Sequence, residues 1–160
     1  YTECRNYIDE SGSPLYPFGY GLSYTSFAYE DFSVAVEPNG RATAQVTVCN
    51  TGSCDGETVI QLYGRDRIAS IVRPEQELLG FARIGIPSGQ RRRVQFRFNL
   101  NQMAFPDEHG RWYVEAGRFC FFAGPNSADL PLKAEYTQPV TYEVLPEARE
   151  YFADWTLLNL

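Results

Sequence analysis

From Phe27 onward the chain alternates apolar and polar residues with a period of two, in short runs separated by turn signals that continue to about Tyr136. That period belongs to half-buried β-strands, whose side chains point to opposite faces in turn. FSVAVEPNGRATAQVTVCNTG predicts two strands around Pro38-Asn39-Gly40, with Val34, Val36, Ala44, Val46 and Val48 facing inward and Asn50-Thr51-Gly52 stopping the second. ETVIQLYGRD predicts a central strand with Val59, Gln61 and Tyr63 on one face and Ile60 and Leu62 on the other. QELLGFARIGI and RRRVQFRFNL, parted by Pro87-Ser88-Gly89, read as a hairpin or adjacent strands. GRWYVEAGRFCFFAG closes the set, with Phe119, Phe121 and Ala123 on one face and Trp112 as a core or rim anchor. About seven strands with no helix between them predict an all-β, two-sheet β-sandwich of fibronectin type III or immunoglobulin kind.

The two ends break the rhythm. PLYPFGYGLSYTSF, Pro14 to Phe27, is aromatic without either period. Pro14 and Pro17 fix φ while Gly19 and Gly21 permit turns, so the stretch is expected to be extended and irregular. At the other end, Pro146 followed by Ala148, Tyr151, Phe152, Trp155 and Leu158 at three- and four-residue steps predicts a short amphipathic helix. The expected organisation is an extended aromatic linker over 1–26, the sandwich over 27–137, and a tail with that helix over 138–160.

Length and charge narrow the function classes. At 160 residues with 44% apolar content, the chain suits one globular domain, and no apolar run approaches the roughly 20 residues of a membrane span. A net charge of −6 argues against a nucleic-acid partner, and Arg91, Arg92 and Arg93 read as a solvated strand start. Cys4, Cys49, Cys54 and Cys120 match no metal or redox spacing and read as free thiols, with a small Cys49–Cys54 loop as the alternative. Free cysteines and the absence of a signal peptide lean toward a cytoplasmic location, a secreted parent staying open, and the opening YTECRNY reads as cut from something longer.

Catalytic chemistry is hard to assemble from these residues. His109, the single histidine, sits in the polar turn PDEHG and supports no nucleophile-base pair. Glu75 with Glu77, or Asp107 with Glu108, are carboxylate neighbours in sequence, whereas a glycosidase pair must flank a sugar from opposite sides. Neither a metal site nor a cofactor cradle is legible, so no catalytic residue and no cofactor is assigned.

YPFGYGLSYTSF resembles the segment leading into the C-terminal fibronectin type III-like domain of glycoside hydrolase family 3 enzymes. NTGSCDGETVIQLYGRD, SIVRPEQELLGFARIGIPSGQ, VQFRF, GRWYVEAGRF and AGPNSADLPL resemble the domain's further signatures in order, together covering roughly Arg5 to Leu132. The resemblance implies a non-catalytic accessory domain of a retaining β-glucosidase or β-xylosidase, whose catalytic carboxylates lie on other domains. Ala153-Asp154-Trp155 looks like the motif around that family's nucleophile, but its context here is a tail after the sandwich. On this reading Tyr16, Pro17, Phe18, Tyr20, Leu22 and Tyr24 are expected at an interface with the catalytic domains, partly covered by the sandwich itself. The alternative is a carbohydrate-binding module, with an oligo- or polysaccharide partner stacked on Trp112, Tyr113, Tyr142 and Trp155.

Overall fold

The computed structural model describes residues 14–158; Cys4 and the first part of the 1–26 segment lie outside the described residues. The alternating runs become strands that all pair antiparallel. In chain order they are β1 (Phe27–Val36), β2 (Arg41–Asn50), β3 (Gly56–Asp66), β4 (Glu77–Ile86), β5 (Arg91–Asn99), β6 (Phe105–Pro106), β7 (Trp112–Val114), β8 (Gly117–Gly124), β9 (Leu132–Gln138), β10 (Tyr142–Val144) and β11 (Asp154–Leu158). One four-stranded sheet runs β1-β2-β5-β11, the facing sheet runs β4-β3-β8-β9, and a small third sheet runs β10-β7-β6. Among the described residues the two-layer sandwich is thus built of eight strands, one more than the spacing predicts.

The inward faces meet as the period of two requires. Ala44, Val46, Val48, Val94 and Phe96 from one sheet, and Ile60, Leu62, Phe119 and Phe121 from the other, are completely or almost completely buried. Phe98 and Phe121 join the layers with ring centroids 5.5 Å apart and planes tilted by 59°. Burying one such side chain stabilises the fold by about 1.5–3 kcal/mol, so this cluster is the principal apolar contribution to stability. Gly40, with φ of +82° in the β1–β2 turn, is buried where an added Cβ would lie 2.7 Å from the Tyr142 hydroxyl. Only glycine fits both demands.

Two expectations are corrected. β4 and β5 are not a hairpin: β4 pairs with β3, whereas β5 pairs with β2 and β11. Both strands carry one strongly apolar face, Leu79, Ala82, Ile84 and Ile86 on β4 and Val94, Phe96 and Phe98 on β5. Crossing between layers at Pro87–Gln90 turns those faces toward each other, whereas a flat hairpin would set them side by side. Asn50 fixes the crossing, donating its backbone N–H to Gln90 O, accepting from Gly89 N, and donating its side-chain amide to Ile86 O at 2.8 Å.

The terminal helix is also absent from the described residues. Pro146–Ala148 make one 3₁₀ turn, and the chain then continues extended into β11. A lone helix of that length is marginal in water. As a strand, the same residues satisfy the amides on the edge of β5 and place Trp155 opposite Phe96 and Leu157 opposite Val94. Buried Asn101 holds the connecting strap, donating to Ala148 O at 2.6 Å and accepting from Glu150 N at 3.2 Å. Ala153 N donates to Leu79 O, and a Cβ on Gly80 would lie 2.6 Å from the Ala153 Cβ.

Candidate interdomain interface

The proline and glycine spacing of the aromatic segment produces a loop held by its backbone. Pro17 O accepts from Tyr20 N at 2.9 Å, and Phe18 O accepts from Ser127 N at 2.9 Å. Gly19, at φ +84°, lies so close to the Gln61 carboxamide that a Cβ there would be 1.9 Å from its nitrogen. Gln61 is held in turn by the Tyr63 hydroxyl, which donates to Oε1 at 2.7 Å. Burial raises the Tyr63 pKa, and a hydrogen bond with Ser127 opposes the rise. Farther along, Thr25 Oγ1 donates to Asn50 Oδ1 at 2.6 Å and Ser26 O accepts from Thr51 N.

While the backbone is pinned, the side chains are not covered. Tyr16, Phe18, Tyr20, Leu22 and Tyr24 are 65%, 67%, 48%, 91% and 104% exposed, Leu15 joins them, and Pro17 is half-buried. The expected partial covering by the sandwich is therefore corrected: among the described residues Pro17 is half-buried and Tyr20 about half covered, while the other side chains of the segment are mostly exposed. The Phe18–Ser127 hydrogen bond and the close approach of Gly19 to Gln61 hold the segment in place by its backbone, which leaves most of its side chains exposed. Tyr16 and Tyr20 pack on each other, centroids 5.1 Å apart.

The segment lies against the outer face of the β4-β3-β8-β9 sheet, and that face extends the apolar surface. Phe81 is directly opposite Gln61 in the register and Leu78 is opposite Tyr63, which puts them on the side that meets Gly19. Val59, Leu78 and Phe81 are 37%, 38% and 58% exposed. The alternation in β3 showed two usable faces, but the exposed Phe81 was not distinguishable from a core phenylalanine in the sequence.

The rings considered for sugar stacking do not form one platform. Trp112, Tyr113 and Tyr142 lie in the small β10-β7-β6 sheet and are half-buried, whereas Trp155 lies on β11 of another sheet. The Arg149 guanidinium already covers Trp112 at 4.0 Å from the ring centroid, and Arg111 lies 5.6 Å from that of Tyr113. Burial, with Tyr136 adding to it, pushes the Tyr142 pKa up to about 12, and its hydroxyl is buried without a partner. Trp155, 40% exposed, is the most accessible of the four.

Among the described residues, no acid-base constellation forms around the remaining candidates. His109 is exposed in a turn organised by Asp107, which accepts from His109 N and Arg111 N and pairs with the Arg111 side chain at 2.8 Å. Desolvation works to raise the Asp107 pKa, but these hydrogen bonds hold it below the usual value. Glu77 pairs with Arg73, and Asp154 sits at the start of an edge strand. Arg93 bonds Thr47 and approaches Asp31 at 3.6 Å. Cys49, Cys54 and Cys120 are free, and burial raises the Cys120 pKa.

Comparison with known proteins bears on the fold and the domain type. Residues 58–127 match the model of the fibronectin type III-like domain. Over 125 residues the chain is 42% identical to a periplasmic β-glucosidase of Salmonella typhimurium, covering 76% of this chain and 16% of that protein. It is 39% identical over 132 residues to the thermostable β-glucosidase B of Acetivibrio thermocellus, covering 79% and 18%. The crystal structure of a GH3 β-glucosidase from Bifidobacterium adolescentis superposes with a TM-score of 0.73 at 33% identity, covering 76% of this chain and 18% of that one. The chain thus spans less than a fifth of the length of each of these relatives.

Proposed function

The chain belongs to the fibronectin type III-like domains of family 3 β-glucosidases, and from that premise we propose that it is a non-catalytic domain that stabilises a β-glycosidase by packing on its catalytic domains. The whole protein would hydrolyse terminal β-linked glucose or xylose with residues outside this chain. The observation that carries the proposal is the aromatic segment, whose backbone is fixed while Tyr16, Phe18, Leu22 and Tyr24 stay mostly exposed. A loop that served only its own sandwich would turn those side chains inward. Burying them between domains adds roughly 25 cal/mol per Å² of apolar surface removed from water, and interfaces of about 600–1,500 Å² are ordinary between domains.

The test compares the whole enzyme with a Tyr16→Ser, Phe18→Ser, Leu22→Ser variant, using melting temperature and turnover of a chromogenic β-glucoside and β-xyloside. The variant is expected to melt several degrees lower, while the isolated 160-residue chain has no turnover. An unchanged melting temperature would overturn the packing role. Turnover by the isolated chain would overturn the non-catalytic assignment.

A further inference from the structure

A second surface is built by the strap that replaces the expected helix. On the outer face of the β1-β2-β5-β11 sheet, Ala35, Thr43, Arg97 and Asp154 stand opposite one another in a single row across all four strands. Ala35 and Thr43 are small, so the row is a trough, walled by Glu37, Arg41 and Glu150 into a cleft of about 410 Å³. That volume lies within the roughly 300–1,000 Å³ of small-ligand sites. Asp154 also borders a neighbouring hollow of about 370 Å³ lined by Phe81, Phe152 and Trp155, whose rings are 58%, 84% and 40% exposed.

The cleft has an unusual balance of charge. Three carboxylates and two guanidiniums converge on it, and among the described residues none of the five forms an ion pair within 4.0 Å. Alternating acceptors and donors of nearly cancelling charge favour a neutral ligand rich in hydroxyl groups over an anion or a cation. Exposed aromatic faces alongside suit the apolar C–H faces of sugar rings. The cleft is held in place, because Asn101 fixes the backbone of Glu150 and Leu79 fixes that of Ala153.

We propose that this cleft and its aromatic rim bind a neutral oligosaccharide chain, with Arg97 and Asp154 hydrogen-bonding hydroxyls and Phe152 stacking on a ring face. The choice of a saccharide among polyhydroxylated ligands rests on the family reading above. The proposed binding mode needs neither turnover nor the aromatic segment.

The test is calorimetric titration of the 160-residue chain with cellohexaose and xylohexaose, repeated on Phe152→Ala, Asp154→Asn and Arg97→Gln. All three positions are exposed, so the substitutions leave the core intact. Saturable binding is expected, with affinity falling about two- to tenfold in each variant, the range corresponding to an aromatic or polar contact of roughly 0.5–1.5 kcal/mol. Absence of heat with either sugar up to millimolar concentration, or binding that at least two variants leave unchanged, would overturn the site. Neither result touches the packing role, which the melting comparison reads separately.

Discussion

Single residues carry costs that their neighbours only partly offset, and Asp66 is the clearest example. It is 8% exposed, and Oδ1 accepts from Ile68 N at 3.2 Å. Burial raises its pKa; the Ile68 bond and the charge of Arg73 pull it down, while Glu115 and Glu77 push it up, and the net result is a rise. A carboxyl whose folded pKa is raised favours the folded state below its unfolded value, about 3.9, and that contribution is lost as pH rises through the folded pKa. At neutral pH the ionised group is a liability. Asp66→Asn keeps the acceptor for Ile68 and removes the charge, so its melting temperature is expected to exceed that of the parent at pH 7. The difference should vanish near pH 3. A variant that melts lower at pH 7 would mean that attraction to Arg73 outweighs the burial.

At the scale of elements, the strap between the 3₁₀ turn and β11 is the piece whose form the sequence concealed. Strands β1, β2, β3 and β8 were legible because side-chain alternation is a local signal, set by each residue's own position on the pleat. Sheet membership is a nonlocal property: alternation in β4 and β5 identified their apolar faces without revealing that those faces meet across the core. The tail misled for a related reason, since Tyr151, Phe152 and Trp155 have helical spacing but Tyr151 and Phe152 are mostly exposed, leaving no continuous buried stripe to hold a helix. What decides their conformation is the open edge of β5 and the two hydrogen bonds of Asn101, contacts made 47 and 49 residues away along the chain. Asn101→Ala removes both partners and leaves a carbonyl and an amide unpaired. It is expected to lower stability by about 1–3 kcal/mol and to accelerate hydrogen exchange selectively between Arg149 and Leu158. Unchanged exchange there would show that β11 is held by β5 and the Leu79 contact without Asn101.

The whole molecule presents two faces with different chemistry. The outer side of the β4-β3-β8-β9 sheet, with the segment laid on it, carries an apolar strip over Val59, Leu78 and Phe81 beside the Glu57–Arg83 and Lys133–Glu135 ion pairs, whereas the outer side of the opposite sheet carries the balanced charges of the cleft. The first was half-visible in the sequence, where an aromatic run without periodicity had to be covered by something; its extension over Val59, Leu78 and Phe81 emerged only with the strand register. Monomeric proteins rarely leave contiguous apolar patches larger than roughly a few hundred Å² open to water. The isolated chain is therefore expected to self-associate as its concentration rises, since a second copy is the nearest substitute for a catalytic neighbour. Light scattering or sedimentation over a tenfold concentration range reads this directly. In the isolated chain, the Tyr16→Ser, Phe18→Ser, Leu22→Ser variant should shift that equilibrium to monomer while leaving its own melting temperature within about 2 °C, because those side chains contribute little to the sandwich that carries them. A lower melting temperature for this variant would mean that the rings already stabilise the sandwich alone. The same three changes thus separate the two roles open to the segment, support of its own domain or attachment to another.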